Sequence, residues 1–198
     1  PMSTSDKLIE AFKKFDEANS ADPNIEVYKG ESYPKEVLYA MRMTKQLNEF
    51  EPNASEALKL TARSQHIKRW EIPRESYEMN RVGYLKWRQE LKKFHAKTAS
   101  AILEEVGYDE ETIDKVSFLL EKKQLKKNEE TQILEDVICL VFMEYYFEDF
   151  SEEHPDEKVI DILQKTWRKM SGKGQEAALK LPLSQKSVDL VTTAIEGL

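Results

Sequence analysis

The chain has 198 residues, 34% of them charged and 40% hydrophobic, with a formal net charge of −7. Six glycines and seven prolines are too little punctuation for an all-β protein, and one cysteine, Cys139, allows no internal disulfide. No apolar run approaches the roughly 18 residues of a membrane span, and residues 1–14 hold no secretory apolar segment, so a cytoplasmic protein with no membrane partner is expected.

The first predicted helix covers residues 6–19, with Ser5 as its cap and Leu8, Ile9, Phe12 and Phe15 at helical spacing. Residues 19–34 read as an irregular loop. A second helix follows Pro34 to about Phe50, and Pro52-Asn53 breaks it. A third is expected over 55–70, and residues 71–80, with Pro73, form another loop. The fourth helix, 81–106, is long and ends at Gly107. The fifth starts after Asp109, and the lysine-rich residues 122–128 read as a solvated turn. The sixth, 129–150, is apolar on most faces and is expected to be the central buried helix. A seventh over 156–171, a short one over 175–179 and a last one over 185–195 complete the chain. The fold class is all-α: residues 1–198 form a single helical bundle domain of eight to nine helices.

Charge is unevenly spread. Residues 63–97 hold ten Lys or Arg against four Glu, whereas residues 109–161 hold seventeen Asp or Glu against six Lys. This excludes a uniformly basic nucleic-acid coat but suits a local basic pocket for a phosphate or carboxylate. Pairing of the two halves with each other explains the same numbers.

Three segments concentrate the residues that could carry chemistry. In the third predicted helix Arg63, His66 and Trp70 lie at i, i+3 and i+7 and share a face. In the fourth, Arg88, Leu91, His95, Thr98 and Ile102 form one stripe, so Arg88 and His95 project on the side that Leu91 and Ile102 bury. In the sixth, Asp136 has Cys139, Leu140 and Met143 at i+3, i+4 and i+7, which turns its carboxylate towards the core. An unpaired buried carboxylate costs several kcal/mol, so Asp136 requires a histidine, an arginine or a metal. His66, His95 and Asp136 are therefore the expected ligands of a divalent metal (Mn, Mg, Fe or Zn), or acid–base groups, with Glu135 as a further carboxylate. Arg63, Arg69, Arg74, Arg81 and Arg88 are the expected clamp for an anion, and Trp87 lies beside them. The spacing of the two histidines matches no metal motif, and a structural ion pair at Asp136 stays open. No glycine-rich phosphate loop, Cys-x-x-Cys or serine elbow occurs. Lys169-Met170-Ser171 matches part of the signature loop of class I aminoacyl-tRNA synthetases, but the His-Ile-Gly-His element is missing.

Several segments together resemble the family catalogued as domain of unknown function 4202. They are Ala62-Arg63-Ser64-Gln65-His66-Ile67-Lys68-Arg69-Trp70, Ile72-Pro73-Arg74, Arg81-Val82-Gly83-Tyr84-Leu85-Lys86-Trp87-Arg88, Phe94-His95-Ala96 and Glu135-Asp136-Val137-Ile138-Cys139-Leu140. The resemblance spans about residues 12–198 and implies no activity. A second similarity is to HD-domain phosphohydrolases, helical enzymes that place a His, a His-Asp pair and a distant Asp around a divalent metal. His66, His95 and Asp136 follow that order. Ala96 stands where the Asp of the pair would be, and Glu135 is the carboxylate that could replace it. This second resemblance implies an HD-like bundle and a metal-dependent phosphohydrolase.

Three functions compete on these grounds. The leading one is a hydrolase or transferase acting on a small phosphorylated or otherwise anionic compound, such as a nucleotide. The second is a non-catalytic binding module for an anionic ligand or an RNA segment, with Trp70 and Trp87 as stacking surfaces. The third is a structural interaction protein in which His66, His95 and Asp136 complete a polar core network.

Overall fold

The computed structural model describes the backbone of residues 4–198 and side chains from Asp6 onward, so the side chain of Ser5 lies outside the described residues. Among them are ten α-helices: α1 (Thr4–Asn19), α2 (Lys35–Phe50), α3 (Glu56–Ser64), α4 (Arg81–Val106), α5 (Glu110–Leu120), α6 (Glu129–Val141), α7 (Phe147–Glu153), α8 (Asp156–Lys169), α9 (Gly172–Leu179) and α10 (Gln185–Glu196). Short polar side chains start most of them. Ser55, Asn80, Asp109, Asn128, Ser171 and Ser184 each accept a hydrogen bond from the N–H three residues on. Each thereby fills one of the orphan donors of a first turn. Gly107 closes α4 in the left-handed region at φ 100°, where a side chain is disfavoured. No helix among the described residues is long and apolar enough to cross a membrane.

The expected all-α bundle is present, with three local differences. Residues 19–34 are not irregular throughout: β1 (Ile25–Tyr28) and β2 (Glu31–Pro34) pair antiparallel. Lys29 and Gly30, both at positive φ, make the two-residue turn between them. The buried guanidinium of Arg42 on α2 holds this hairpin down. It donates to Glu26 at 2.7 Å and to the Tyr146 hydroxyl at 2.9 Å, and it lies over the rings of Tyr28 and Tyr145. Second, α3 stops at Ser64. The chain then turns, with Lys68 left-handed at φ 52°, its N–H donating to Asn19 Oδ1 at 2.9 Å. Third, the predicted sixth helix is interrupted: α6 passes through a π-helical segment, Phe142–Tyr146, into α7.

Two apolar clusters support the bundle. Met43 and Leu47 of α2, Val137 and Leu140 of α6, Phe147, Val159 and Leu163 form one, joined by Val191 of α10. Phe15 of α1, Leu60 of α3, Ala99 and Leu103 of α4 and Val116 of α5 form the other, together with Ile67. Of the helices carrying these clusters, α2, α4, α5, α6, α7 and α8 also supply walls of one large hollow.

Candidate functional site

The hollow has a volume of about 1020 Å³, the size class of sites for small molecules. Each wall follows from a helical repeat. On α4, Tyr84, Trp87, Arg88, Leu91, Lys92 and His95 line it, one stripe at i, i+3, i+4, i+7, i+8 and i+11. On the opposite side Glu135, Ile138 and Cys139 of α6 are followed by Phe142 and Tyr146. The π-helical segment sits at that wall, as such bulges often do at functional sites. The turn after α3 brings in His66, Arg69 and Trp70, the start of α2 contributes Lys35, Glu36 and Tyr39, and Lys122 closes the end of α5.

His66 and His95 do meet there, with ring centroids 6.2 Å apart. His66 stacks on Tyr39 at 3.8 Å, and the Tyr39 hydroxyl donates to Gln65 Oε1 at 2.6 Å. Burial, with Arg69 next, holds the His66 pKa well below its ordinary value, so the ring is neutral near pH 7. Its two nitrogens are then assigned by their neighbours. Arg69 Nη1 donates to Nε2 at 2.7 Å, which leaves the proton on Nδ1 facing Glu36 Oε1 at 3.2 Å. With the ring neutral, the His66–Glu36 contact is a hydrogen bond rather than an ion pair. Burial raises the Glu36 carboxyl, and cationic neighbours led by Arg69 only partly oppose this.

His95 is also neutral, its pKa pushed down to about 3, first by burial and then by His66. Its Nδ1 lies 2.8 Å from the Ile67 carbonyl oxygen and must donate to it. Nε2 then keeps a lone pair on a ring that lines the hollow.

Three of the five expected arginines are at the hollow: Arg69, Arg74 and Arg88. Arg69 lies over the Trp87 ring, and Trp87 Nε1 donates to the Ile72 carbonyl at 2.8 Å. Arg88 donates to the Tyr84 hydroxyl at 2.8 Å. Arg74 mainly ties the loop before α4, donating to the Glu78 carbonyl at 2.9 Å. Arg63 and Arg81 are elsewhere. Arg63 forms a two-pronged pair with Asp16 of α1 at 2.8 and 3.0 Å, because the chain turns away after Ser64 and no continuous helix face joins it to Trp70. Arg81 is the exposed first residue of α4.

Asp136 is the main correction. It is buried, as its apolar neighbours imply, but it does not face the histidines. Its carboxylate accepts from Ser171 N at 2.8 Å, Ser171 Oγ at 2.5 Å and Gln132 Nε2 at 3.1 Å, at the start of α9. Gly174 lets α9 come this close, since a Cβ there would lie 2.6 Å from Asp136 Oδ1. Lys169-Met170-Ser171 is thus a helix end and the cap of the next helix, not a catalytic loop. Glu135, one residue earlier, is the carboxylate that faces the hollow. The residues do not fit the divalent metal expected from the sequence. Both His66 nitrogens and His95 Nδ1 are engaged, Ala96 offers no donor, and Asp136 is turned away. Among the described residues no group of three or more His, Cys, Asp or Glu could hold a metal ion.

The family described as Domain of unknown function (DUF4202) matches residues 9–191. The chain belongs to this family. No curated protein and no solved structure matches the chain.

Several residues of this DUF4202 protein reach the site without having been singled out, among them Lys92, Glu36, Tyr39 and Lys122. Lys92 was readable, because it lies one turn from Arg88 on the α4 stripe. Glu36 and Tyr39 sit at the start of an amphipathic helix and gave no signal of their own. Lys122 belonged to a stretch read as solvated, yet its side chain is only 14% exposed and pairs with Glu135 at 3.5 Å. Burial lowers its pKa, with Glu135 opposing.

Proposed function

We propose that the hollow binds a small phosphorylated compound of about nucleotide size. One observation carries this reading: seven cationic side chains and three carboxylates line a cavity of about 1020 Å³ in a chain whose net charge is −7. Cations that outnumber carboxylates around a cleft make its potential positive and favour an anionic guest. Tyr84, Trp87 and Trp70 add flat surfaces for a ring. An anion held inside a cavity also fits this charge distribution better than an RNA strand laid over an acidic exterior.

A second reading, turnover by hydrolysis or group transfer, is favoured by the clustering of buried acid–base groups with perturbed pKa values. His95 Nε2 and Glu135 are the groups placed to accept a proton or to orient water. The pKa of about 3 makes His95 a better hydrogen-bond acceptor than base near neutrality. Neither reading routes a step through a metal.

The test is calorimetric titration of the full chain with nucleotides and sugar phosphates, with and without Mn²⁺, alongside phosphorus NMR for product. At least one phosphorylated compound is expected to bind, more weakly as salt rises, and at least tenfold more weakly to Arg69→Ala. Product formation would select the enzymatic reading, and binding without product the non-catalytic one. Failure of every phosphorylated compound to bind would remove both.

A further inference from the structure

The two ends of the hollow differ in how their charges are matched. At one end Lys35, Arg69 and Arg74 face Glu36 and Glu75. There Arg69 is committed to His66 and Trp87, and Arg74 to backbone carbonyls. At the other end Arg88, Lys92, Lys122 and Lys169, from α4, the end of α5 and α8, converge with Glu135 as the one lining carboxylate. Glu135 pairs with Lys122. Among the described residues half-buried Lys92 and exposed Lys169 have neither an ion-pair partner nor an acceptor for the side chain, and Arg88 gives a single N–H to Tyr84. These cations also crowd one another. Burial lowers the pKa of Lys92 and Arg88 lowers it further, Glu135 opposes them, and Lys169 adds a smaller lowering. Lys122 is held in the left-handed region at φ 53°, a conformation that costs energy for a lysine and persists only where its surroundings impose it.

We propose that this end is a diphosphate subsite, in which Arg88, Lys92, Lys122 and Lys169 bind two linked phosphate groups of the ligand. The inference rests on the reading of the hollow as a site for a phosphorylated compound and states which phosphorylated group it takes. The choice follows from charge. Once Glu135 is matched, three cations remain. One phosphate brings about 1.5 to 2 negative charges and leaves a cation unmatched, whereas two linked phosphates match all three. Lysine and arginine ends arriving from three separate elements also suit a group with several oxygens to share better than a single carboxylate.

The experiment compares inorganic pyrophosphate with orthophosphate by calorimetry on the full chain. Pyrophosphate is expected to bind at least tenfold more tightly. Lys92→Met should reduce pyrophosphate affinity tenfold or more with an unchanged melting temperature. The double variant Lys122→Met/Glu135→Gln removes both members of the buried pair, so no charge is orphaned, and it should narrow the preference for pyrophosphate. Equal affinity for the two anions, or wild-type pyrophosphate binding by Lys92→Met, would overturn the subsite. If a nucleoside monophosphate binds and is weakened by Arg69→Ala while pyrophosphate shows no advantage, the subsite falls and the pocket stands. If no phosphorylated compound binds, both fall.

Discussion

Asp136 separates a structural carboxylate from a site carboxylate, and its replacement gives a measurable answer. In Asp136→Ala three donors lose their acceptor: Ser171 N, Ser171 Oγ and Gln132 Nε2. A hydrogen bond to a charged group contributes about 1.5–3 kcal/mol, but the three do not add. Gln132 Nε2 retains the Lys169 carbonyl at 3.0 Å, and Ser171 Oγ still accepts from Gly174 N at 3.1 Å. The Ser171 amide loses its acceptor, and the α9 N-terminus loses a compensating negative charge. The expected loss is about 3–4 kcal/mol, or roughly 6–16 °C in Tm for a chain of this length. Asp136→Asn keeps acceptor capacity and should lose only about 1–2 kcal/mol. Urea unfolding followed by circular dichroism gives the stabilities, and calorimetry with phosphorylated compounds and Mn²⁺ gives binding. Folded Asp136→Asn should bind as the wild type does. A wild-type urea midpoint for Asp136→Ala would refute the reasoning. So would an Asp136→Asn protein of normal stability that has lost ligand or metal binding, because the carboxylate would then belong to the site.

The histidines make stability depend on pH. Unfolded His95 titrates near its ordinary value of 6.5 and folded His95 near 3, so below pH 6.5 the unfolded state takes up a proton that the folded state refuses. Stability therefore falls as pH drops from about 6.5 towards 3, by up to about 1.4 kcal/mol per pH unit for one such histidine. His66 acts in the same direction, and the raised Glu36 carboxyl opposes it at the acid end of that window. His95→Asn, whose amide can still donate to Ile67, should flatten the slope by about one proton between pH 6.5 and 5; an unchanged slope would contradict the assignment. Gly174→Ala should cost about 1–3 kcal/mol by overpacking against Asp136. Gly172→Ala, where a Cβ meets nothing within 4 Å, should be neutral or raise Tm slightly, and thermal melts of the pair test this contrast.

Most helices were legible because two signals coincide at their starts: an Asp, Asn or Ser cap and an apolar repeat behind it. The hairpin was not, since four-residue strands, two of whose apolar residues, Ile25 and Val27, are exposed, leave almost no alternation to read. Part of the site was legible for the same reason as the helices. Trp87, Arg88 and His95 share the α4 stripe, and α6 was recognisably central. Where reading failed, helix phase or backbone turns decided the outcome. Glu135 and Asp136 are one residue, about 100° of helix, apart. On a helix apolar around most of its circumference, the hydrophobic pattern does not say which of the two faces the hollow. Arg63 and His66 were assigned to one helix face, but the chain leaves α3 after Ser64 and the two side chains part. Lys122 looks solvated in sequence, and what sets it apart, a side chain turned inward to pair with Glu135, depends on tertiary packing that the lysine-rich run does not reveal.

The polar groups of the hollow fall into two kinds, and the difference bears on the three functions the sequence allowed. Glu36, His66, Arg69 and Tyr39 satisfy one another through hydrogen bonds and stacking, and His95 is fixed by a backbone carbonyl. A structural core network explains all of these, because every member gains from its neighbours. It gives no hydrogen-bond or ion-pair partner to Lys92, which is half-buried with Arg88 beside it and Glu135 as the nearby carboxylate. On the proposed reading the hydrogen-bonded wall fixes the shape of the hollow, and the cationic end supplies the attraction for a charged guest.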